Sequence, residues 1–305
     1  MTQDDSIDTT DSTVFPDEPA NSDSIEEPSS STSRSLSRRT LLKGTASAAV
    51  GATGLAAISG TAAAGDWGVC HHQPPRAPSW FGYLAPWAQS EHNLPNANNG
   101  LTIYIHGFTG TRQGAVNDGH EVWRKIRDEG YQQACFSFIW PAGNEVKVDD
   151  WWAAQSNANM AGKWLGDYLA GRGWTAENGK NINIICHSLG ARVALECLKT
   201  LHETHQKSID TVHLLGGAVD YLDVAYDYTT VINHGCGWMH NWYSVSDPIL
   251  NTGYLLWEEA SPIGTQAPTD PPSLELTSHS TGMKQHCQYM DYEYGVIDDI
   301  APVVE

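Results

Sequence analysis

The chain has 305 residues, of which 36 are acidic and 17 are Lys or Arg, for a formal charge of −19. That length accommodates one or two domains with full cores, and the acidic balance argues against nucleic acid or an anionic membrane surface as a partner. Nine of the acidic and four of the basic residues fall within positions 1–64, which leaves 27 against 13, or −14, over the remainder.

Residues 1–36 are rich in Ser, Thr, Asp and Glu and almost lack aromatic side chains. Such a stretch buries too little apolar surface to offset its ordering entropy, so it is predicted to be a disordered acidic leader. Residues 37–64 follow another plan. Arg38 and Arg39 precede Thr40-Leu41-Leu42-Lys43, an Ala- and Gly-rich apolar run follows, and Ala62-Ala63-Ala64 closes it. A charged start, a weakly apolar middle and a small-residue end make a cleavable signal peptide. The paired arginines point to the twin-arginine export machinery as a partner. The run is too Gly- and Ala-rich for a good permanent span, so cleavage near Gly65 and a secreted or cell-envelope location are expected. The evenly acidic, Lys-poor remainder also suits a protein working in high salt.

Six cysteines all follow the leader. Cys135 and Cys186 fall in predicted strands and Cys197 on a predicted helix, which reads as buried free thiols. Cys70, Cys236 and Cys287 fall in loop-like sequence, and an exported chain could bridge two of them. No pair has CxxC spacing, so neither a zinc site nor any other metal or cofactor is expected. His202 and His205, and the His71-His72 pair, have no third ligand nearby and read as surface or arm residues.

Residues 65–100, rich in Pro, Trp, His and Asn, read as an irregular aromatic arm in front of a domain spanning 101–305. "LTIYIHG" is a short apolar run ended by glycine, hence a buried strand. "AVNDGHEVWRKIRDEGY" carries Val122, Trp123 and Ile126 on one helical face. "ACFSFIW" is the next strand. "DDWWAAQSNANMAGKWLGDYLAGRG" is a long helix with Trp152, Met160, Trp164, Leu165, Tyr168 and Leu169 at helical spacing. "INIIC" leads into a helix from Leu189 to about His202 with Val193, Ala194, Cys197, Leu198 and Leu201 inward. "TVHLLGG" and "NWYSVS" are further strands, and "YGVIDDIAPVV" is a short final helix. Alternating helices and wholly apolar strands predict an α/β fold, a mostly parallel sheet covered on both faces.

The chemistry gathers at the strand ends. Cys186-His187-Ser188-Leu189-Gly190 sits between a strand and a helix, a turn of the kind that lifts a serine clear of a sheet. A serine needs a base to take its proton and donors to hold the oxyanion. The Leu189 N–H is one candidate oxyanion donor. The Phe108 N–H, in "IYIHGFTG" after an earlier strand, is the other. In the chain order serine, acid, histidine, Asp247 lies past a strand and before Pro248, and is preferred to Asp220 in "LLGGAVDYLD". His286 in "KQHCQYMDYEYG" is preferred to His279 because it lies nearer the final helix, with Tyr289 placed to pack on it. The arm residues Trp67, Trp80, Phe81 and Trp87, and the segment 221–242, are candidates for an apolar acyl pocket. No large insertion between the strands suggests a lid.

"IYIHGFTG", "CFSFIWPAG", "NIICHSLGARVALECL" and "NWYSVSDPIL" together resemble the α/β-hydrolase superfamily. They are most similar to lipase- and esterase-like hydrolases with an HGF loop, a WP strand end and an HS-x-G nucleophile elbow. The resemblance covers about residues 100–300 and departs from the usual elbow at Cys186, where a glycine is customary. It implies an α/β-hydrolase fold, a Ser188, Asp247 and His286 triad, oxyanion donors at Phe108 and Leu189, and a small-molecule or lipid ester as substrate. A catalytically silent scaffold that binds a partner in the envelope is the rival reading.

Overall fold

A computed structural model describes residues 74–268, 274–283, 285–291 and 295–300. The acidic leader, the twin-arginine segment, Trp67, Cys70 and the His71-His72 pair lie outside the described residues. Among the described residues eight strands form one sheet: β1 (Gly82–Ala85), β2 (Ser90–His92), β3 (Leu101–Ile105), β4 (Ala134–Phe138), β5 (Ile182–His187), β6 (Ile209–Leu215), β7 (Cys236–Tyr243) and β8 (Thr277–Ser280). Their order is β2-β1-β4-β3-β5-β6-β7-β8. Every neighbouring pair is parallel except β1 with β2.

The central strands are apolar because neither face meets water. All five residues of β3 and all six of β5 are buried. Helices cover both faces: α1 (Arg112–Asp128), α2 (Val148–Arg172), α3 (Gly190–Lys199), α4 (Thr229–Gly235), α5 (Leu255–Glu258) and α6 (Ile297–Ile300). One core packs Ile103, Ile184 and Leu214 beneath Leu165, Leu198 and Val231 of α2, α3 and α4. The other packs Tyr104, Ile185 and Leu215 beneath Val122 and Ile126 of α1 and Ile297 of α6. The sheet is thus the two-sided, mostly parallel one that the alternating pattern predicts.

Three local expectations need correction. Within the supposedly irregular arm, residues 82–85 and 90–92 are strands, and β1 lies parallel to β4. Their short length and mixed polarity hid them from a periodicity reading. On α2, Trp152 and Met160 are exposed, at 54% and 53%. The face that packs is the small-residue one, Ala154, Ala158, Ala161 and Leu165, all fully buried. A Cβ added at Gly162 would stand 2.5 Å from the Val193 carbonyl oxygen on α3. Glycine there lets the two helices touch backbone to backbone, and no aromatic fits at that distance. Cys236 is no loop residue either. It opens β7 and is a buried free thiol, whereas Cys287 is disulfide-bonded.

The anticipated inward face of α3 holds: Val193, Ala194, Cys197 and Leu198 are fully buried, as is Leu201 in the π-helical stretch Thr200–Thr204 that continues it. β8 reads Thr277-Ser278-His279-Ser280, a polar edge strand with no apolar run to announce it.

Candidate active site

Four strand ends meet at one rim of the sheet. β5 turns into α3 through Ser188, whose φ of +55° lies in the left-handed region. For a residue with a side chain this costs about 1–3 kcal/mol and persists only where the surroundings impose it. Here they do. Ser188 N–H donates to the Leu215 carbonyl at 3.0 Å, and its own carbonyl accepts from Ala191 N–H at 3.1 Å and Ala218 N–H at 3.0 Å. A Cβ at Gly190 would stand 2.7 Å from the carbonyl oxygens of Ile105 and His106, and one at Gly107 would stand 2.8 Å from Ser188 Cβ. Glycine at both positions is what lets the β3 and β5 ends converge on the serine. Cys186, where the usual pattern has glycine, is fully buried and donates its thiol to the His213 carbonyl at 3.3 Å. Burial pushes its thiol well above the ordinary range, so it stays protonated.

The loop after β3 is pinned by the end of β4. Trp140 N–H donates to His106 Nε2 at 3.2 Å, and the Trp140 indole N–H donates to the His106 carbonyl at 2.9 Å. With Nε2 accepting, Nδ1 carries the proton and donates to the Gly107 carbonyl at 3.0 Å. Burial lowers the His106 pKa to about 4, which keeps this ring neutral. The backbone N–H groups of Phe108 and Leu189 make no hydrogen bond among the described residues.

Past β7, Asp247 is fully buried. Its Oδ1 accepts from the backbone N–H groups of Ile249 and Leu250, each at 3.1 Å, and its Oδ2 accepts from His286 Nδ1 at 2.6 Å. Burial alone would raise the Asp247 pKa, but the His286 ring and the Leu250 N–H hold it below the usual carboxylate range. The other ring nitrogen, His286 Nε2, is buried and has no hydrogen-bond partner among the described residues. It therefore makes no hydrogen bond to Ser188 Oγ, although His286 and Ser188 line the same cavity of about 660 Å³. His187 reinforces the arrangement. Its Nε2–H donates to the His286 carbonyl at 2.8 Å, and the two rings lie 4.7 Å apart. Burial, then the adjoining His286, lowers the His187 pKa to about 3.

The rivals stand elsewhere. Asp220 accepts from Leu222 N–H at 2.9 Å, a helix-start contact. His279 on β8 bonds His240 Nδ1 at 3.0 Å and stacks on Trp242 at 4.0 Å. Tyr289 is fully buried, with its ring 6.3 Å from that of His187. The cavity walls also differ from expectation. No residue of 221–242 borders the cavity, and Trp80, Phe81 and Trp87 do not either. The apolar wall comes instead from Phe108, Trp151, Leu250, Tyr254 and Trp257. Nothing in the sequence marks His187 or Trp140 for these roles, although His187 adjoins the serine turn and Trp140 the end of β4.

A mostly parallel sheet with helices on both faces, and a serine turn at the carboxyl end of β5, give the chain the α/β-hydrolase fold. More narrowly, it belongs to the alpha/beta hydrolases of unknown function (DUF900), whose sequence model matches residues 88–293. No curated protein matches the chain. Among solved structures, an esterase from Pyrococcus furiosus is 16% identical with a TM-score of 0.39, covering 68% of this chain and 81% of its own. An esterase from Pyrobaculum calidifontis is 15% identical with a TM-score of 0.40, covering 67% of this chain and 75% of its own. EstE1, a thermophilic carboxylesterase cloned from a metagenomic library, is 14% identical with a TM-score of 0.40, covering 67% of this chain and 79% of its own.

Proposed function

We propose that the protein is a serine hydrolase of carboxylic esters, with Ser188 as nucleophile, His286 as base and Asp247 as the acid that orients it. The observation that carries this reading is the buried 2.6 Å pair of His286 Nδ1 with Asp247 Oδ2, which leaves Nε2 unpartnered beside the cavity that Ser188 also lines. The carboxylate fixes the tautomer in which Nε2 is free to accept a proton, and it stabilises the imidazolium that results. The serine–histidine contact is often loose without substrate and tightens in the bound complex.

In this mechanism Ser188 Oγ attacks the ester carbonyl as His286 Nε2 takes its proton. The N–H groups of Phe108 and Leu189 receive the oxyanion; that neither has another acceptor among the described residues supports the assignment. The proton passes to the departing alcohol oxygen, and water then cleaves the acyl-enzyme by the reverse transfers. Small-molecule or lipid esters are the substrates. The leader sequence supports export by the twin-arginine machinery, and N-terminal sequencing of the secreted protein is expected to begin near Gly65.

The test is covalent labelling. A fluorophosphonate probe is expected to modify Ser188, detected by mass spectrometry, and labelling is lost in Ser188→Ala and His286→Ala. Labelling survives in His279→Ala and Asp220→Asn. A folded protein that takes no label at low and high salt overturns the reading.

A further inference from the structure

The cavity beside Ser188 has two unlike ends. Against one face of the sheet it meets Phe108, Trp151, Leu250, Tyr254 and Trp257, which belong to or pack on the core beneath α2 and α3. Against the other face it meets Tyr104 and Met290, which belong to the core beneath α1 and α6. There the Tyr104 hydroxyl donates to Met290 Sδ at 2.6 Å.

The start of α1 lines this second end. Thr111, Gly114, Ala115 and Asp118 all border the cavity. Their spacing of three, four and seven residues puts them on one helical face. Gly114 and Ala115 keep that face low, and Asp118 stands beyond them. The half-buried Asp118 carboxylate has no hydrogen-bond or ion-pair partner among the described residues. Burial, and then the nearby Glu121, raise its pKa to about 7. Beside it, Asn117 Oδ1 accepts from Ala77 N–H at 3.0 Å and from Gln113 Nε2 at 2.8 Å, while Asn117 Nδ2 donates to no described residue. The mechanism has no use for either group.

Which end receives which part of an ester follows from the proton. In the ester hydrolysis proposed above, the bond from Ser188 Oγ to the carbonyl carbon forms and the bond from that carbon to the alcohol oxygen breaks. The proton taken up by His286 Nε2 goes to that departing oxygen. The alcohol must therefore leave beside His286. The segment that follows His286 carries Tyr289 and Met290, which pack in the α1-side core. The alcohol thus lies toward Asp118, and the acyl chain takes the aromatic end.

We infer that the α1 end of the cavity is a leaving-group subsite, in which Asp118 accepts and Asn117 Nδ2 donates hydrogen bonds to a free hydroxyl of the departing alcohol. The inference rests on the ester-hydrolase reading, and it names the substrates as acyl esters of hydroxyl-bearing alcohols rather than of simple alkyl alcohols. A hydroxyl can satisfy a donor and an acceptor together. A quaternary ammonium can use neither as a hydrogen-bond partner, and Tyr104 alone makes no aromatic cage for it.

The experiment compares three butyrate esters at fixed acyl chain: ethyl butyrate, 1-monobutyrylglycerol and butyrylcholine. Wild type, Asp118→Asn and Asp118→Leu are each assayed for kcat/KM. The readout is the glyceryl-to-ethyl ratio, which does not depend on the fraction of each variant that folds. Wild type is expected to favour the glyceryl ester. Asp118→Leu is expected to cut the ratio about tenfold, the scale of one hydrogen bond lost to a charged group, and Asp118→Asn to cut it less. An equal ratio in all three proteins overturns the subsite. So does a preference for butyrylcholine that disappears in Asp118→Asn. Fluorophosphonate labelling separates the two levels of the argument. A labelled Ser188 with an unchanged ratio, or with no ester cleaved, rejects the subsite alone. An unlabelled Ser188 with no ester cleaved rejects the hydrolase reading, and the subsite with it.

Discussion

Trp140 holds His106 at two points, through its backbone N–H on the ring and its indole N–H on the carbonyl. The end of β4 thereby fixes the loop that presents Phe108 N–H. Substituting Trp140→Phe keeps an aromatic ring and the backbone donor but removes the indole donor, leaving the buried His106 carbonyl short of a partner. The expected stability loss is about 1–3 kcal/mol, read by urea unfolding. Because a displaced oxyanion donor acts on the transition state, kcat is expected to fall roughly tenfold or more with little change in KM. A kcat equal to that of the wild type would mean that the loop is held without this contact.

Gly107 separates the β3 loop from the serine turn. An alanine there would place its Cβ 2.8 Å from Ser188 Cβ, against backbone and side chain that are both pinned. One of the two must move. The protein is expected to fold, since Gly107 lies at the rim, but to lose about 100-fold in kcat/KM, the scale of an ångström-sized misplacement at a reacting centre. Circular dichroism and the rate of fluorophosphonate labelling check this together. A native spectrum with slow labelling is the expected result.

Much of this arrangement is legible in the sequence because it is local. Apolar runs ended by glycine mark β3 and β5, and the turn through Ser188 can be read from five consecutive residues. Asp247 could be chosen from its place after a strand. Its 2.6 Å contact with His286 spans 39 positions and was only a preference in the sequence. The cavity wall is hidden from the sequence for the same reason. Residues 221–242 are rich in aromatics, yet the wall is built by residues 249–257 folding back on Phe108 and Trp151. Composition tells which residues are apolar, whereas chain reversal decides which cavity they reach. Trp152 and Met160 failed differently. Their spacing was helical, but Gly162 and Gly166 bring α3 too close for large side chains, so the alanines face inward.

Trp257 closes the aromatic end of the cavity, 6.3 Å from the Phe108 ring and 5.5 Å from the Trp151 ring. If the acyl chain occupies that end, Trp257→Ala lengthens the space available to it. The preferred chain in a p-nitrophenyl ester series is then expected to shift to longer acyl groups, with kcat/KM for the shortest esters falling several-fold from lost contact. An unshifted optimum would move the acyl chain elsewhere.

Acid should unfold the protein earlier than its carboxylates alone would dictate. Burial lowers the pKa of His106 to about 4 and that of His187 to about 3, and His213 lies well below its ordinary value for the same reason. In the unfolded chain each titrates near 6.5. Between that value and its folded pKa, the unfolded state binds the proton and the native state does not, so stability falls as pH falls. At pH 5 the loss is on the order of 2 kcal/mol for each of His106 and His187. Asp247, held below its ordinary value, adds its own loss only at lower pH, as the medium approaches the unfolded carboxylate pKa. Asp118 runs the opposite way. Its pKa is raised to about 7, so it favours the native state as pH falls toward 5, and burial raises Asp210 in the same direction, but the histidines shifted down, His120, His240 and His279 among them, are more numerous. Urea midpoints at pH 7.5 and pH 5.0, at constant salt, are expected to drop on acidification with an unchanged slope. The drop should be larger in Asp118→Asn, which removes one opposing group. A midpoint that is flat over this range would mean that the buried rings accept protons in the native fold, and the neutral His106 and His187 described above would have to be given up.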